Sequence, residues 1–466
     1  MAKKIFPIYE KIEITDAGAE GKGIARVDDL VIFVPYTAPG DIVDVKIIKK
    51  KKSFLEGRVH NLHRTSSMRI EPFCSHFGLC GGCTWQHVNY EHQLDFKKKQ
   101  VENAFKRIGK FEFPPLLPVI ASPSSTYYRN KLEYTFSNRR WLTDPEHIVD
   151  SERDMYGLGF HLPGLFDRIL DIETCYLQPE PSNSIRLETK KFALENNITF
   201  YDHRRRTGFL RNLLIRNSNT GEVMVILVVN TNKPEKAMHI LSHLGDKFPA
   251  ITNLFYIINS KLNDSISDLE PVLFAGKPYL TEEMEGLRFR VGPLSFYQTN
   301  SQQAYQLYTT ARDFAELKGN ERVYDLYTGA GTIANFVAAR ANRVIGIEYV
   351  EAAVKDAVVN SQCNNIQNTE FYYGDILSVI DDDFVATHGH PDVIITDPPR
   401  AGMHEGVINK IASIAPEKIV YVSCNPATQA RDISLLTHIY SVEKVQPVDM
   451  FPHTNHIENV ALLRRK

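Results

Sequence analysis

The spacing of apolar residues divides the 466-residue chain into three regions. Over residues 1–62, short alternations of apolar and polar residues are separated by turns rich in glycine and proline, which predicts a small β-barrel. Residues 63–285 include the pattern of a lysine-rich amphipathic helix over 89–110, and after it short apolar runs alternate with turns. This predicts an α+β domain with an antiparallel sheet. Over residues 286–466, strand-like runs alternate with helical patterns, which predicts a doubly wound, mostly parallel α/β sheet.

The strands of the last region decide where its chemistry should lie. The strand-like runs are at residues 323–327, 344–348, 370–373, 393–396, 419–422, 442–448 and 459–463. In an open α/β sheet, ligands and chemistry collect at the carboxyl ends of the parallel strands. If the last strand runs antiparallel to the others, its first residue lies at that same edge.

Composition limits where the chain can work. It is 43% apolar and 24% charged, as is usual for a soluble globular protein. No stretch reaches the run of about 18 apolar residues that indicates a membrane span. The first residues lack the apolar core of a secretion signal, so we expect a cytoplasmic protein with no membrane partner. Six cysteines in this length do not indicate a secreted disulfide framework.

Charge is distributed unevenly, although the net charge is only −2. Residues 1–110 hold 19 lysine and arginine residues against 13 aspartate and glutamate residues, so the front of the chain is basic and the remainder acidic. This asymmetry suggests a polyanionic partner. The lysine run 49–52 is expected at a hairpin tip, and segments 127–131 and 203–206 place cations beside aromatic rings, as single-stranded nucleic acid requires. Solvated loops are the alternative for 49–52 and 203–206.

Three cysteines lie close together, and glycines between them allow the chain to fold around a bulky centre. Cys74, Cys80 and Cys83 have the spacing Cys-x5-Cys-x2-Cys. Three soft thiolates in a cytoplasmic chain favour a metal over disulfides. A tetrahedral site or a cubane cluster needs a fourth ligand, and Cys175 is the best candidate by elimination. Zinc and an iron–sulfur cluster both accept four thiolates.

The remaining cysteines are set apart because they fall in the last region. Cys363 is expected to be a plain core or surface residue, whereas Cys424 is a candidate nucleophile. Two alternatives to a four-cysteine site stay open. One is a zinc site that uses His76 or His87, and the other is a group of cysteines that binds no metal.

A glycine turn closes the first strand of the last region, over residues 325–331. Glycines at such a turn let the backbone approach a ligand at the start of the next helix. Glu348 ends the second strand, where a carboxylate can take two ribose hydroxyls, and Asp375 follows the third, where it can meet an adenine amino group. The turn lacks the third glycine of a dinucleotide fingerprint, so the pattern favours S-adenosylmethionine. A purely structural turn is the alternative.

Three reactive side chains are predicted to meet at one edge of the sheet. Asp397 follows the fourth strand in an Asp-Pro-Pro-Arg segment, Cys424 follows the fifth, and Glu458 precedes the last. A thiol, a carboxylate base and a methyl donor suggest methylation of carbon 5 of uracil. The thiolate adds at carbon 6 and makes carbon 5 nucleophilic, and a base then removes the carbon-5 proton. Such an enzyme must first pull the uridine out of its stack.

These residues resemble the RNA 5-methyluridine methyltransferases, and the resemblance extends over essentially the whole chain. The signatures occur in family order as 296–298 (Phe-Tyr-Gln), 325–331 (Asp-x-Tyr-x-Gly-x-Gly), 397–400 (Asp-Pro-Pro-Arg), 423–426 (Ser-Cys-Asn-Pro) and 456–458 (His-Ile-Glu). The resemblance implies an OB-like TRAM barrel, a central α+β domain with an iron–sulfur site, and a Rossmann-like class I methyltransferase domain. It also favours 23S ribosomal RNA over transfer RNA as substrate.

The same resemblance implies roles for individual residues. Cys424 is the nucleophile, Glu458 the base, and Asp397 holds the uracil edge. Cofactor contacts are expected from Gln298, Tyr327, Gly329, Gly331, Thr332, Glu348, Asp375 and Asp397. The ligands of a [4Fe-4S] cluster would be Cys74, Cys80, Cys83 and Cys175. The chain departs from relatives at Thr328 and Thr332, and neither change removes a proposed catalytic group.

Two functions are alternatives to carbon-5 methylation of uracil. One is methyl transfer to an exocyclic nitrogen, for which an Asn-Pro-Pro-Tyr-like motif would be expected in place of Asp-Pro-Pro-Arg. The other is a catalytically silent RNA-binding or iron–sulfur factor, against which the full set of candidate catalytic residues argues. We therefore expect a monomeric, S-adenosylmethionine-dependent RNA (uracil-5-)-methyltransferase.

Overall fold

The structure is a computed structural model that describes residues 7–27, 29–143 and 155–466. Its first unit is a barrel-like sheet with the strand order β1-β5-β6-β4-β3-β2. The strands are β1 (Ile8–Glu13), β2 (Asp16–Ala17), β3 (Gly23–Val27), β4 (Leu30–Val34), β5 (Ile42–Lys50) and β6 (Phe54–Arg64). Alternate residues such as Ile32, Val43 and Val45 fill its interior, as the sequence pattern predicts. The lysine run 49–52 lies at the tip of the β5–β6 hairpin.

A long helix leads out of the barrel. Helix α1 (Tyr90–Ala104) continues into a π-helical turn, Phe105–Gly109. Val101 and Phe105 are buried as the apolar pattern predicts, but Ile108 is exposed. The buried face of the helix instead includes two polar residues, Gln93 and Lys97.

The central domain is built on a seven-stranded sheet with the order β13-β12-β11-β10-β7-β8-β9. Its strands are β7 (Lys131–Ser137), β8 (Gly157–His161), β9 (Ile169–Asp171), β10 (Leu210–Asn217), β11 (Val223–Val229), β12 (Ile251–Ile258) and β13 (Val272–Gly276), with helices α2 (Ser182–Glu195) and α3 (Pro234–Lys247). The prediction of a fully antiparallel sheet is wrong for one pair, since β11 and β12 are parallel. Helix α3 lies between them in the chain and forms the crossover that a parallel pair requires.

A hairpin joins the central and last domains. It consists of β14 (Leu280–Met284) and β15 (Leu287–Val291), so the boundary expected between residues 285 and 286 falls in its turn. The last domain then contains α4 (Ser301–Ala315), β16 (Arg322–Leu326), α5 (Thr332–Ala338), β17 (Arg343–Glu348), α6 (Glu351–Cys363), β18 (Thr369–Tyr373), α7 (Ile376–Val379), α8 (Asp382–His388), β19 (Val393–Thr396), α9 (Glu405–Ile414), β20 (Lys418–Ser423), α10 (Pro426–Leu436), β21 (Tyr440–Val448) and β22 (Glu458–Arg465). Among the described helices, none is long and apolar enough to span a bilayer.

The sheet of the last domain has the order β18-β17-β16-β19-β20-β22-β21. Strands β16 to β20 pair in parallel, whereas β22 is inserted antiparallel between β20 and β21. Because β22 runs in the opposite direction, its first residue lies at the edge where the parallel strands end. This meets the condition under which the sequence analysis expected Glu458 to lie at the same edge as Asp397 and Cys424.

A buried ion pair fastens α1 to this sheet. Lys97 Nζ donates to Asp449 Oδ1 at 2.5 Å, and neither side chain is accessible to solvent. Lys97 also donates to the Phe451 carbonyl (3.0 Å), while the Tyr90 hydroxyl donates to the other oxygen of Asp449 (2.7 Å). Since Asp449 directly follows β21, the pair connects α1 to the sheet of the last domain.

We predict that Lys97→Met destabilises the fold by about 3–5 kcal/mol, because it leaves the Asp449 carboxylate buried without its cation. Urea denaturation measures this loss. Lys99→Met on the same helix is the matched control, since it removes only a partly exposed pair with Asp16 that is worth at most about 1 kcal/mol. Equal losses in the two variants would contradict a structural role for the buried pair.

Candidate active site

The turn after β16 has the backbone shape of a ligand-binding turn. Tyr327, Gly329 and Gly331 all have positive φ angles, of 63°, 56° and 73°. At Gly331 a Cβ atom would lie 2.8 Å from the Ala357 Cβ, so a side chain there would clash. The carboxylate of Glu348, at the end of β17, accepts a hydrogen bond from the Gly329 N–H at 3.1 Å. The predicted glycine turn is thus in direct contact with Glu348, the carboxylate that is expected to bind the ribose.

A cleft of about 300 Å³ opens beside this turn. Its lining consists of Tyr327, Ile347, Tyr349, Gly374, Asp375, Ile376, Leu377, His404 and Val407. Two predicted cofactor contacts, Tyr327 and Asp375, are among these residues, and Asp375 also caps α7 by accepting from the Leu377 N–H (2.9 Å). The sequence analysis missed Tyr349 and His404, which lie in segments without a recognisable motif.

The other predicted cofactor contacts are not among the residues that line the cleft. Thr332 is buried and begins α5, directly after Gly331. Gln298 is buried in the segment before α4, where its carbonyl accepts from the Asn130 side chain at 2.9 Å. Asp397 follows β19, and its N–H donates to the Leu326 carbonyl at the end of β16 (3.4 Å).

Sheet register brings Cys424, Asp397 and Glu458 to one edge. Ser423 on β20 pairs with Asn459 on β22, so the next residue of β20, Cys424, is next to the first residue of β22, Glu458. Strand β19 lies on the other side of β20 and ends immediately before Asp397. Glu458 is buried, whereas Cys424 is partly exposed and can be reached from outside.

Burial governs the protonation of this group. Burial, followed by the charges of Glu458 and Asp397, raises the pKa of Cys424 to about 11. Burial also raises the pKa of Glu458 well above its ordinary value, and the charge of Asp397 adds to the effect. The pKa of Asp397 is likewise raised by burial. Two neighbouring carboxyls with raised pKa values hold fewer than two negative charges at neutral pH.

Arg400 supplies the opposing positive charge, and the sequence analysis gave it no role. It lowers the pKa of both Cys424 and Glu458, against the larger effect of burial. Its Nη2 atom lies 2.8 Å from Nδ1 of His456, and the Asn425 side chain donates to its carbonyl at 3.0 Å. Burial and Arg400 lower the pKa of His456 to about 4, so this ring is neutral and accepts from the guanidinium. The signal for Arg400 was its place in the Asp-Pro-Pro-Arg segment.

The four cysteines of the predicted cluster site line one cavity of about 350 Å³ in the central domain. Each of Cys74, Cys80, Cys83 and Cys175 is close enough to the other three for their negative charges to interact. Within the described residues, no group of three or more His, Cys, Asp or Glu side chains has the geometry to hold a metal ion. Four thiols that share one cavity are a donor set that zinc and an iron–sulfur cluster both accept.

The two histidines considered as alternative zinc ligands, and the exposed thiol of Cys363, have other surroundings. Nε2 of His76 accepts a hydrogen bond from the Glu173 N–H at 3.0 Å. His87 is buried, which lowers its pKa to about 4. Cys363 ends α6 and is exposed.

Segments 127–131 and 203–206, which are proposed to contact nucleic acid, are partly occupied by contacts within the protein. In the first, Tyr127 is exposed, but Tyr128 is buried and donates to the Pro452 carbonyl at 3.0 Å. In the second, Arg204 forms an ion pair with Asp167 at 2.5 Å. Structural roles therefore account for part of each segment.

The strand order, the glycine turn and the acidic residues after β17 and β18 define a class I methyltransferase that uses S-adenosylmethionine. The TRAM domain profile matches residues 9–60, and the profile described as tRNA (Uracil-5-)-methyltransferase matches residues 382–466.

Relatives match over nearly the full chain. An uncharacterized RNA methyltransferase of Bacteroides thetaiotaomicron is 55% identical, with 96% of this chain and 99% of that protein covered. One from Porphyromonas gingivalis is 52% identical, with 97% and 99% covered. The tRNA (uracil-54, C5)-methyltransferase of Pyrococcus abyssi, solved with S-adenosyl-L-homocysteine, superposes with a TM-score of 0.74 at 29% identity, covering 97% of this chain and 99% of that one. The chain belongs to the RNA 5-methyluridine methyltransferase family.

We predict that alkylation of Cys424 by iodoacetamide accelerates up to about pH 11, because burial and two carboxyls disfavour the thiolate. Glu458→Gln removes a carboxyl whose ionised form disfavours the thiolate, and it should speed alkylation at pH 9, where more of that carboxyl is ionised, by roughly tenfold, since a pKa one lower gives ten times more thiolate. Arg400→Gln should slow it. Peptide mass spectrometry gives the rate at Cys424, with the exposed Cys363 as an internal reference. A midpoint at the ordinary thiol pKa of about 8.5 would overturn this account.

Proposed function

We propose that this protein methylates carbon 5 of a uridine in RNA through a covalent Cys424 adduct, with 23S ribosomal RNA as its substrate. The observation that carries the proposal is the meeting of a reachable thiol with two carboxyls, of which Glu458 is buried, at the edge of the sheet where the parallel strands end. This combination serves carbon-5 methylation of a pyrimidine, which needs a nucleophile and a separate base.

Cys424 acts first in this mechanism. As its Sγ forms a bond to carbon 6 of the uracil, the thiol gives its proton to the Asp397 carboxylate, and the displaced π electrons make carbon 5 nucleophilic. S-adenosylmethionine, when bound, supplies a methyl group that carbon 5 can accept from the sulfonium. Glu458 then removes the proton from carbon 5, the C5=C6 double bond re-forms, and the bond between carbon 6 and Sγ breaks. The thiolate that leaves takes a proton back from Asp397, and Glu458 releases the carbon-5 proton to solvent, so that both groups are ready for another uridine.

The neighbouring side chains serve orientation and charge. Asp397 holds the polar edge of the uracil, and Arg400 offsets the negative charges that oppose thiolate formation. The cofactor would be held by Gln298, Tyr327, Gly329, Gly331, Thr332, Glu348, Asp375 and Asp397. Of these, Tyr327 and Asp375 line the cleft, which supports the assignment of its contents as an adenosine.

Transfer RNA is the second candidate substrate. The Pyrococcus abyssi enzyme acts on uracil 54 of tRNA, and its fold matches this chain from end to end. Ribosomal RNA is favoured because a barrel combined with four cluster cysteines resembles the ribosomal branch of the family.

We also propose that Cys74, Cys80, Cys83 and Cys175 hold a [4Fe-4S] cluster. The support is a single cavity shared by all four thiols, three of which follow one another around flexible glycines. Such a cluster would cross-link the segment after the barrel to the segment after β9, which favours a structural role.

Deletion of the encoding gene tests the reaction and its substrate together. We expect 5-methyluridine to disappear from digested 23S ribosomal RNA, to be restored by the wild-type protein, and not to be restored by Cys424→Ala, which lacks the nucleophile. Loss from tRNA alone would favour the second candidate. Unchanged 5-methyluridine in both RNAs, or full activity in Cys424→Ala, would contradict the proposal.

The cluster is tested by anaerobic purification. We expect a brown protein that absorbs near ~400 nm and contains about four iron atoms per chain. Cys175→Ser should lose most of the iron, whereas Cys363→Ser, a matched change at an exposed thiol, should keep it. Stoichiometric zinc without iron would exclude the cluster.

A further inference from the structure

The segment 449–457, which we call the base loop, joins β21 to β22 and leads directly into Glu458. Its central carbonyl, that of His453, accepts hydrogen bonds from the N–H groups of Thr84 (2.8 Å) and Trp85 (3.0 Å). These two residues immediately follow Cys83 in the cysteine loop, which we define as residues 74–88. The backbone of the cysteine loop therefore holds the backbone of the base loop directly.

One buried side chain reinforces this contact from α1. The Gln93 amide nitrogen donates to the carbonyls of Trp85 (3.0 Å) and Val88 (2.8 Å), and lies 3.2 Å from Nδ1 of His453. Its amide oxygen accepts from the His453 N–H at 2.9 Å. Gln93 has no solvent exposure. A single amide thus ties the cysteine loop to the base loop through four polar contacts.

The barrel reaches the same junction. Nδ2 of Asn455, on the base loop, donates to the Ala19 carbonyl at 3.0 Å, and the Trp85 indole N–H donates to the Gly21 carbonyl at 3.0 Å. Both acceptors belong to the connection between β2 and β3. The base loop is consequently held by the barrel, the cysteine loop and α1, all of which lie outside the methyltransferase domain.

We propose that Gln93 is a positioning residue for Glu458: its amide fixes the base loop against the cysteine loop so that the carboxyl stands where it can take the carbon-5 proton. The inference rests on the proposed function, in which Glu458 acts after methyl transfer. A displaced Glu458 would leave Cys424 attack and methyl transfer intact and stall the reaction before the bond between carbon 6 and Sγ breaks. Misplacement of the base therefore has its own signature, an accumulated covalent protein–RNA adduct.

The test compares Gln93→Leu with Gln100→Leu, a glutamine substitution two turns further along the same helix, where the side-chain oxygen has no hydrogen-bond partner among the described residues. We expect Gln93→Leu to lower kcat about 10- to 100-fold, the usual effect of a small misplacement of a reacting group. KM for S-adenosylmethionine should stay within about twofold, because the hydrogen bonds of Gln93 go to the cysteine loop and the base loop and not to the cofactor turn. A denaturing gel should show the RNA adduct in Gln93→Leu and Glu458→Gln, but not in Gln100→Leu or the wild type.

Asn455→Ala provides a second variant, on a partly exposed side chain, if Gln93→Leu does not fold. It loosens the tie between the base loop and the barrel and should accumulate a smaller amount of adduct. Slower turnover without adduct, in whichever of the two variants folds, would overturn the positioning role while leaving the proposed function standing. Absence of adduct in Glu458→Gln would contradict the proposed mechanism itself, and the inference with it.

Discussion

The direction of one strand determines the active site. Strand β22 runs antiparallel between β20 and β21, so that Glu458 begins a strand at the edge where β19 and β20 end. A parallel β22 would put the same glutamate at the opposite edge of the sheet, the length of a strand away from Cys424. Glu458 meets Cys424 and Asp397 at one edge of the sheet because of this reversal.

The antiparallel direction of β22 requires a connection from β21 whose polar groups are paired by residues of the other domains. The chain must cross from the end of β21 to the start of β22 on the same edge, and this crossing carries polar groups that need partners. Lys97 supplies a cation for Asp449, Gln93 supplies an amide for His453, and the Tyr128 hydroxyl donates to the Pro452 carbonyl. Because these partners come from outside the methyltransferase domain, and Asn455 also donates to the Ala19 carbonyl of the barrel, both other domains contribute to the geometry of the site.

Much of this could be predicted from the sequence, because strand-like runs and the motifs that follow them are local signals. Parallel strands all end at the same edge of a sheet, so Glu348, Asp375, Asp397 and Cys424 could be assigned to one edge from the sequence alone. The roles of single polar residues on helices could not. Lys97 precedes two further lysines, and nothing local distinguishes the one that is buried against a distant aspartate.

Other features could not be predicted from the sequence for the same reason, because they depend on contacts between distant parts of the chain. The parallel pairing of β11 and β12 depends on where α3 packs, which alternation along a strand does not encode. Ile108 belongs to the apolar pattern of α1, yet the π-helical turn at 105–109 changes the direction in which its side chain points, and it is exposed. Arg400 was visible in its motif, but its effect on Cys424 depends on a fold that brings the two together.

The electrostatics of the site explain why the nucleophile and the base belong in the same buried place. With a pKa of about 11, Cys424 is a thiolate about once in ten thousand molecules at pH 7. The thiol must therefore pass its proton to a neighbour as it attacks. The same burial raises the pKa of Glu458 and Asp397, which makes these carboxylates stronger proton acceptors than exposed ones. In the proposed mechanism, the environment that suppresses the thiolate at rest is the one that strengthens the base needed to remove the carbon-5 proton.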